Sequence, residues 1–312
     1  MSKRKIIYRL IQIIVVLFGI SFFTFLLTYL APGNPAQVML TSSGVMPTQE
    51  AIDELSEQMG FNDPFLVRYF RWLTAALHGD FGDSYSLNKP VVDLLLARLW
   101  PTVKLTLASM IIMLAFAVPL GMLSAVHKDS WIDNFVRFIT FFGVSVPNFW
   151  VGLMLMLLFC VKINMFPVIC SGGDLKSLIL PAVTLAIAMT AKYTRQVRTA
   201  ILEELNQDYV TGARARGISE ANILWKNVFP NSLLPLITML GLSIGSLLGG
   251  TAVVEVVFSY PGLGSLAVAA ITSNDYNLIQ GYVLWIALIY MVINLVVDIS
   301  YNYIDPRMRL GR

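Results

Sequence analysis

Charge is scarce in this chain. Of its 312 residues only 13% are Asp, Glu, Lys or Arg, about half the share of a soluble domain, whereas 56% are hydrophobic. That balance excludes a fully solvated surface and reads as an integral membrane protein. No G-x-x-x-x-G-K-[ST] occurs, so nothing here can cradle nucleotide phosphates in the P-loop manner. H-E-x-x-H and G-x-S-x-G are also missing, and no Ser, His and acid can be argued into one plane. Histidine is limited to His78 and His127, which the topology below puts on opposite sides of the membrane, so a zinc or nickel site built by this chain alone is not expected. The two cysteines, Cys160 and Cys170, lack metal spacing and read as unpaired and structural. The net charge of +3 is modest and its basic residues form no nucleic-acid patch. No catalytic, cofactor-binding or metal-ligating residue is assigned. The fourteen methionines would suit soft-metal transport, but most are flanked by apolar residues, as packing filler would be.

What is present is a series of long apolar runs. The basic front and apolar middle of SKRKIIYRLIQIIVVLFGISFFTFLLTYLAPG suggest a signal peptide, but the stretch is too long and ends without a small-residue cleavage site, so it is kept as a first span. Uncharged runs follow at Leu105 to Val126, Phe138 to Val161, Ser177 to Ala191, Asn227 to Val254 and Tyr276 to Val297. The run ending at Ala191 is short, with Lys192 and Arg195 placed to snorkel at its inner edge. An N-terminus inside puts 15 of the 22 Lys and Arg on the cytoplasmic face. The expected fold is therefore an all-α polytopic membrane protein with six transmembrane helices and both termini cytoplasmic. Residues 1–31 form the first helix and 32–100 an extracytoplasmic helical region. Residues 101–305 form a five-helix core with a cytoplasmic helical segment at 199–232, and 306–312 form the tail.

The outer region is acidic, and its middle, PTQEAIDELSEQMGFNDPFLVRYFRWLTAAL, has helical periodicity with a turn at Asn62, Asp63 and Pro64. Two or three short helices resting on the outer membrane face are expected. The third span opens with FFGVSVPNFW, where Pro147 kinks the helix and Ser145 and Asn148 add polar atoms. A translocation path and helix packing with local repair explain this equally well. In the fifth span Gly241, Gly245 and Gly249 share one face, for close helix packing or for pore lining. Glu255, and Asp298 in the last span, are intramembrane carboxylates and so functional candidates by default; both lie close to an interface, which favours a structural hydrogen-bonding role.

The longest polar interruption of the second half runs from Glu203 to Pro235. Apolar residues recur through it at helical spacing on either side of Gly217, which reads as two short amphipathic helices with a left-handed glycine between them and Ser219 and Glu220 opening the second. Periodicity leaves two readings open: a stripe offered to a partner, or a hairpin folded back on the headgroups.

Within that segment TGARARGISEANILWKNVFPNSLLP resembles the cytoplasmic motif of ABC importer permeases, which reads Glu-Ala-Ala, three residues, Gly, nine residues, Ile, one residue, Leu-Pro. Thr211, Gly212 and Ala213 take the first three places, Gly217 is the glycine, and Phe229 and Pro230 fall on the last two. Thr211, Gly212 and Asn227 depart from the general form. ARARG with a second proline, Pro235, is similar to the dipeptide, oligopeptide and nickel branch, as are PGNP at Pro32 to Pro35, GFNDP, GDFGDSY, FSYPGLG and the Asp305, Pro306, Arg307 tail. Asn34 stands where that branch usually has Asp.

The resemblance covers essentially the whole chain and implies a non-catalytic permease subunit of a prokaryotic cell membrane. It implies a second homologous permease, two ATPase subunits carrying ATP and magnesium, and an extracytoplasmic solute-binding protein as partners, with cargo a dipeptide, an oligopeptide or a nickel chelate. Thr211, Gly212, Ala213, Arg214, Gly217, Pro230 and Pro235 are then the ATPase-coupling residues. Ser145, Pro147, Asn148, Gly241, Gly245, Gly249 and Glu255 are candidates for path or gate, and Glu54, Glu57, Pro261, Gly262 and Gly264 for binding-protein docking. The alternative, a self-sufficient secondary transporter, calls for internal repeats with broken helices and midplane ionisable groups, neither of which is evident.

Overall fold

The computed structural model describes residues 3–42 and 46–304. Among these, regular structure is helical apart from one isolated bridge between Asp83 and Pro90. The Asp305, Pro306, Arg307 tail and segment 306–312 lie outside the described residues. The chain divides into two compact units, residues 1–102 with 261–292 and residues 103–260 with 293–312. These boundaries cut across the segments read from the sequence, because a helix beginning at Val91 and another beginning at Tyr276 each contribute to both units.

The first unit starts with α1 (Lys3–Leu30), whose apolar stretch Ile7–Leu30 is long enough to cross a bilayer. Many of its side chains, among them Ile14, Val15, Phe23 and Leu27, are exposed, the pattern of a lipid-facing helix. Three short helices follow, as expected: α2 (Pro35–Ser42), α3 (Gln49–Gln58) and α4 (Phe65–Leu77). Thr48 caps α3 by accepting from the Ala51 N–H. α4 packs lengthwise on α1, with the Tyr69 hydroxyl 2.9 Å from Ser21 Oγ and the Tyr69 ring edge-on to Phe22 and Phe25 at 5.4 and 5.5 Å. The aromatic content of FLVRYFRWL provides a reason, because such rings gain beyond their area when they meet edge to face.

The same unit contains α13 (Leu263–Thr272) and the start of α14 (Tyr276–Ile304), packed with the start of α5 (Val91–Val126) around Val91, Leu95, Leu263, Leu266 and Leu278. Asp275, fully buried just ahead of α14, holds the GDSYS loop: its Oδ2 accepts from Ser84 Oγ at 2.6 Å, Ser86 Oγ at 2.8 Å and the Ser86 N–H at 3.0 Å. Replacing Asp275 with Ala strands those donors. A net loss of about 3 kcal/mol is expected on the scale of hydrogen bonds to a charged group, measurable as a shifted denaturation midpoint in mixed micelles.

In the second unit the expectation of one kinked helix across Phe138 to Val161 is overturned. α6 (Trp131–Ser145) and α7 (Asn148–Met156), the latter extended by a π-helical turn Leu157–Lys162, meet at 94°. Pro147 cannot donate, and it drives Val146 out of the helical region to φ −88, ψ 129, so the chain turns rather than bends. Both arms lie on α8 (Leu175–Leu205) through glycines: a Cβ on Gly143 would stand 2.8 Å from that of Ala191, and one on Gly152 3.3 Å from Thr184 Cγ2. α8 is about twice as long as the uncharged run that announced it, and it continues through Lys192, Arg195 and Arg198.

The expected run Asn227 to Val254 is likewise interrupted. α11 (Phe229–Gly250) bends by 43° around Pro235, and Thr251 separates it from α12 (Ala252–Val257). Four helices are long and apolar enough to cross a membrane, or six if each bent pair counts as one span. Cys160 and Cys170 are both buried and unpaired.

Candidate coupling segment

The polar segment folds as a hairpin. α9 (Asp208–Ala215) closes with a Schellman arrangement: the Gly217 N–H donates to the Arg214 carbonyl at 2.9 Å, and the Ile218 N–H donates to that of Ala213 at 3.2 Å. Gly217 has φ +76 with open space around it, so its identity is set by backbone conformation rather than crowding. Gly217→Ala is therefore expected to cost about 1 kcal/mol from the left-handed conformation alone, read as a small loss of thermal stability in the purified protein.

The second arm, α10 (Glu220–Ile223), differs from the sequence expectation in two respects. Ser219 has N-cap backbone geometry without a side-chain cap bond, and Glu220 makes a bidentate pair with Arg214 across the turn at 2.7 and 3.1 Å. Nor is the arm a separate short helix: a π-helical turn, Leu224–Val228, carries it without a break into α11. Pro230 lacks the N–H that the turn before it would need, and the wider turn accommodates that loss.

One stripe of the hairpin is buried and the other is bare. Val210, Ala213, Ile223 and Val228 have essentially no exposure; they pack with Met122 and Ala125 of α5, Val197, Ala200 and Ile201 of α8, and Leu236 of α11. Thr211, Gly212, Arg214, Ala215, Arg216, Ala221, Asn222 and Trp225 face outward, and a side chain on Gly212 would meet nothing within 4 Å. Of the seven proposed coupling residues, Ala213 is thus the one locked into the interior. Pro230 and Pro235 are exposed, the latter at the bend of α11.

Behind this seam sits a constellation centred on Asp133, which the sequence analysis did not single out. Asp133, with no exposure, accepts four hydrogen bonds: from Arg198 Nε and a second guanidinium nitrogen of Arg198, both at 2.7 Å, from Ser124 Oγ at 2.5 Å and from the Asp129 N–H at 3.0 Å. It joins the end of α5, the first turn of α6 and α8. The clue was Ser130 three residues ahead of Asp133, the spacing of an N-cap and a first-turn acid; Ser130 does cap α6 by accepting from the Asp133 N–H at 3.4 Å.

The remaining sequence candidates lie elsewhere. Ser145, Pro147 and Asn148 form the exposed elbow between α6 and α7, with Ser145 Oγ donating to the Phe141 carbonyl at 2.8 Å. Gly241 lies against the Val297 side chain, which occupies the place a Cβ would take, as close packing requires. Gly245 is buried, and Gly249 is the penultimate residue of α11. Glu255 is fully buried and accepts from Thr251 Oγ1 at 3.0 Å. Glu54 and Glu57 are exposed on α3; Pro261 is half-buried, and Gly262 and Gly264 are buried. Among the described residues no three His, Cys, Asp or Glu side chains converge as a metal site would need.

Long apolar helices interrupted by a polar hairpin, buried on one side and bare on the other, are the framework of a membrane-embedded protein. The comparisons make the assignment specific: residues 117–310 match the model of the binding-protein-dependent transport system inner membrane component, and residues 2–106 match the N-terminal model of such membrane components. The chain belongs to this family and is an ABC permease of the oligopeptide and nickel type. It is 39% identical to the oligopeptide transport system permease protein AppB of Bacillus subtilis (strain 168), over 97% of this chain and 98% of that one. It is 36% identical to the nickel import system permease protein NikB of Staphylococcus aureus (strain USA300), over 98% and 92%. In fold, 68% of the chain superposes on 96% of a chain from the inward-facing MetNI methionine ABC transporter with a TM-score of 0.55 at 20% identity.

Proposed function

We propose that this chain is one of two permease subunits of an ATP-binding-cassette importer in a prokaryotic cell membrane. In this reading it crosses the membrane six times with both ends in the cytoplasm and performs no chemistry itself. A second, homologous permease completes the path, and two ATPase subunits holding ATP and magnesium grip the bare stripe of α9. An extracytoplasmic binding protein delivers a dipeptide, an oligopeptide or a nickel chelate. The observation that carries the proposal is the division of the hairpin: its buried stripe is shared with α5, α8 and α11, while its outer stripe is exposed and, among the described residues, packs on no other helix. A displaced α9 therefore has to move the ends of three apolar helices. The unbroken passage from α10 into α11 gives that motion a rigid route.

Co-expression with the neighbouring reading frames, affinity purification and ATPase assay test the reading. Recovery of a second permease and two ATPases, with activity lost in Gly217→Asp, is the expected result. A chain that purifies alone and transports solute without nucleotide would overturn it. On the outer side, Glu54 and Glu57 are proposed to meet the binding protein. Charge reversal at both should lower its association rate and flatten the salt dependence; unchanged docking would remove them from the interface.

A further inference from the structure

The first unit encloses a half-open cavity of about 430 Å³ beside α1, α3 and α4. That volume falls within the range of small-molecule sites. Arg68 in its wall is half-buried in a slot between the rings of Tyr29 and Phe61, 5.4 and 5.3 Å from their centroids. It donates one hydrogen bond, from Nη1 to the Phe61 carbonyl at 2.9 Å. Among the described residues no carboxylate pairs with it: Asp63, the carboxylate whose charge acts on it, is bonded at 2.7 Å to Arg71. Burial pulls the Arg68 pKa below its ordinary value. A guanidinium does not shed its proton in a protein, so its charge stays in the wall, under-solvated, where pairing with an anion is favourable.

Two further groups in the wall are unspent. Trp72 Nε1 is buried without a partner among the described residues, and so is Gln280 Oε1, in a side chain only 5% exposed. The orientation of the Gln280 amide follows from its neighbour. Thr28 Oγ1 gives its proton to the carbonyls of Thr24 and Phe25 at 3.1 and 3.0 Å, so towards Gln280 Nε2 it can only accept. The nitrogen faces Thr28, and the oxygen is left as an acceptor. The cavity wall thus offers a cation among aromatic faces, with an unpaired N–H donor and an unpaired acceptor sealed behind the surface of two lining residues.

We propose that this cavity binds a small organic oxyanion, carboxylate or phosphodiester, held by the Arg68 guanidinium, with the unpaired Trp72 Nε1 and Gln280 Oε1 turning toward it once the ligand is seated. The inference stands independently of the transport reading. Trp72 supplies the probe. Full-length protein labelled with 5-fluorotryptophan, in phosphatidylcholine nanodiscs, would be titrated with alanyl-alanine, with its C-terminal amide, and with dihexanoyl phosphatidylglycerol, the Trp72 resonance being assigned by W72F. The expected result is a saturable shift with at least one oxyanion probe, none with the amide, and affinity lower by roughly tenfold or more in Arg68→Gln.

A response to the dipeptide identifies a soluble carboxylate as the ligand, and a response to the lipid alone identifies a membrane phosphodiester. Asn34→Asp keeps Arg68 in place and adds a fixed carboxylate to the same wall, so it should weaken binding even if Arg68→Gln misfolds. A silent Trp72 with both oxyanions up to about 10 mM, an equal response to the amide, or full binding in both variants would overturn the proposal.

Discussion

Replacing Asp133 with Ala, or Arg198 with Ala, is expected to destabilise the permease by about 3–5 kcal/mol, the cost of leaving one member of a buried pair without its partner. The value belongs at the upper end because Asp133 has no exposure and Arg198 only 19%, and because the carboxylate has four donors around it, all spent on holding three helices together. Denaturation in mixed micelles reads the loss directly. The charge-free double variant Asp133→Leu with Arg198→Met should recover most of it, because two apolar groups strand nothing. Stability recovered without recovered ATPase coupling would mark the pair as a mechanical link between α6 and α8 as well as a structural one. Single variants as stable as the parent would show that the pair is solvated in the assembled protein.

The second large effect separates two adjacent residues of the motif. Gly212→Trp should leave the fold intact, because the new side chain enters open space, yet lower recovered ATPase activity by roughly tenfold or more, as overpacking a docked interface costs about 1–3 kcal/mol. Ala213→Asp should do the opposite: its carboxylate would be forced among Val210, Ile223 and Val228, and the protein should unfold before coupling can be assayed. Both measurements, thermal unfolding and ATPase recovery, are needed on each variant. A Gly212→Trp protein with normal activity would move the gripped surface off α9.

The difference between these neighbours was only half legible in the sequence. Helical spacing of Tyr209, Val210, Ile223, Leu224 and Val228 announced an amphipathic hairpin, and Gly217 announced its turn, because both signals are local in the chain. Which residue of Thr211, Gly212 and Ala213 faces inward depends on where α5 and α8 end, which spacing within the hairpin does not contain. The elbow at Val146 and Pro147 was underread for a similar reason. Proline announces a lost hydrogen bond, but the choice between a kink and a 94° turn depends on Gly143 and Gly152, which let both arms rest on α8. Asp133 and Arg198 lie 65 residues apart, and no local pattern joins them. Asp275 was invisible in the same way, since its donors Ser84 and Ser86 are almost two hundred positions earlier.

The length of α8 has a mechanical corollary. Its 31 residues contain no glycine, and its one interior proline, Pro181, lies toward the far end from the hairpin. At the helical rise it is a rod about 46 Å long. Tilted by roughly 10° about its midpoint, such a rod carries each end about 4 Å in opposite directions. With Ala200 and Ile201 embedded in the hairpin seam, Ala191 under one arm of the elbow near the midpoint and Thr184 under the other arm beyond it, α8 has the layout of a seesaw with its pivot beneath the elbow. A push of a few ångströms at the hairpin end of such a rod would be returned, reversed, at the other.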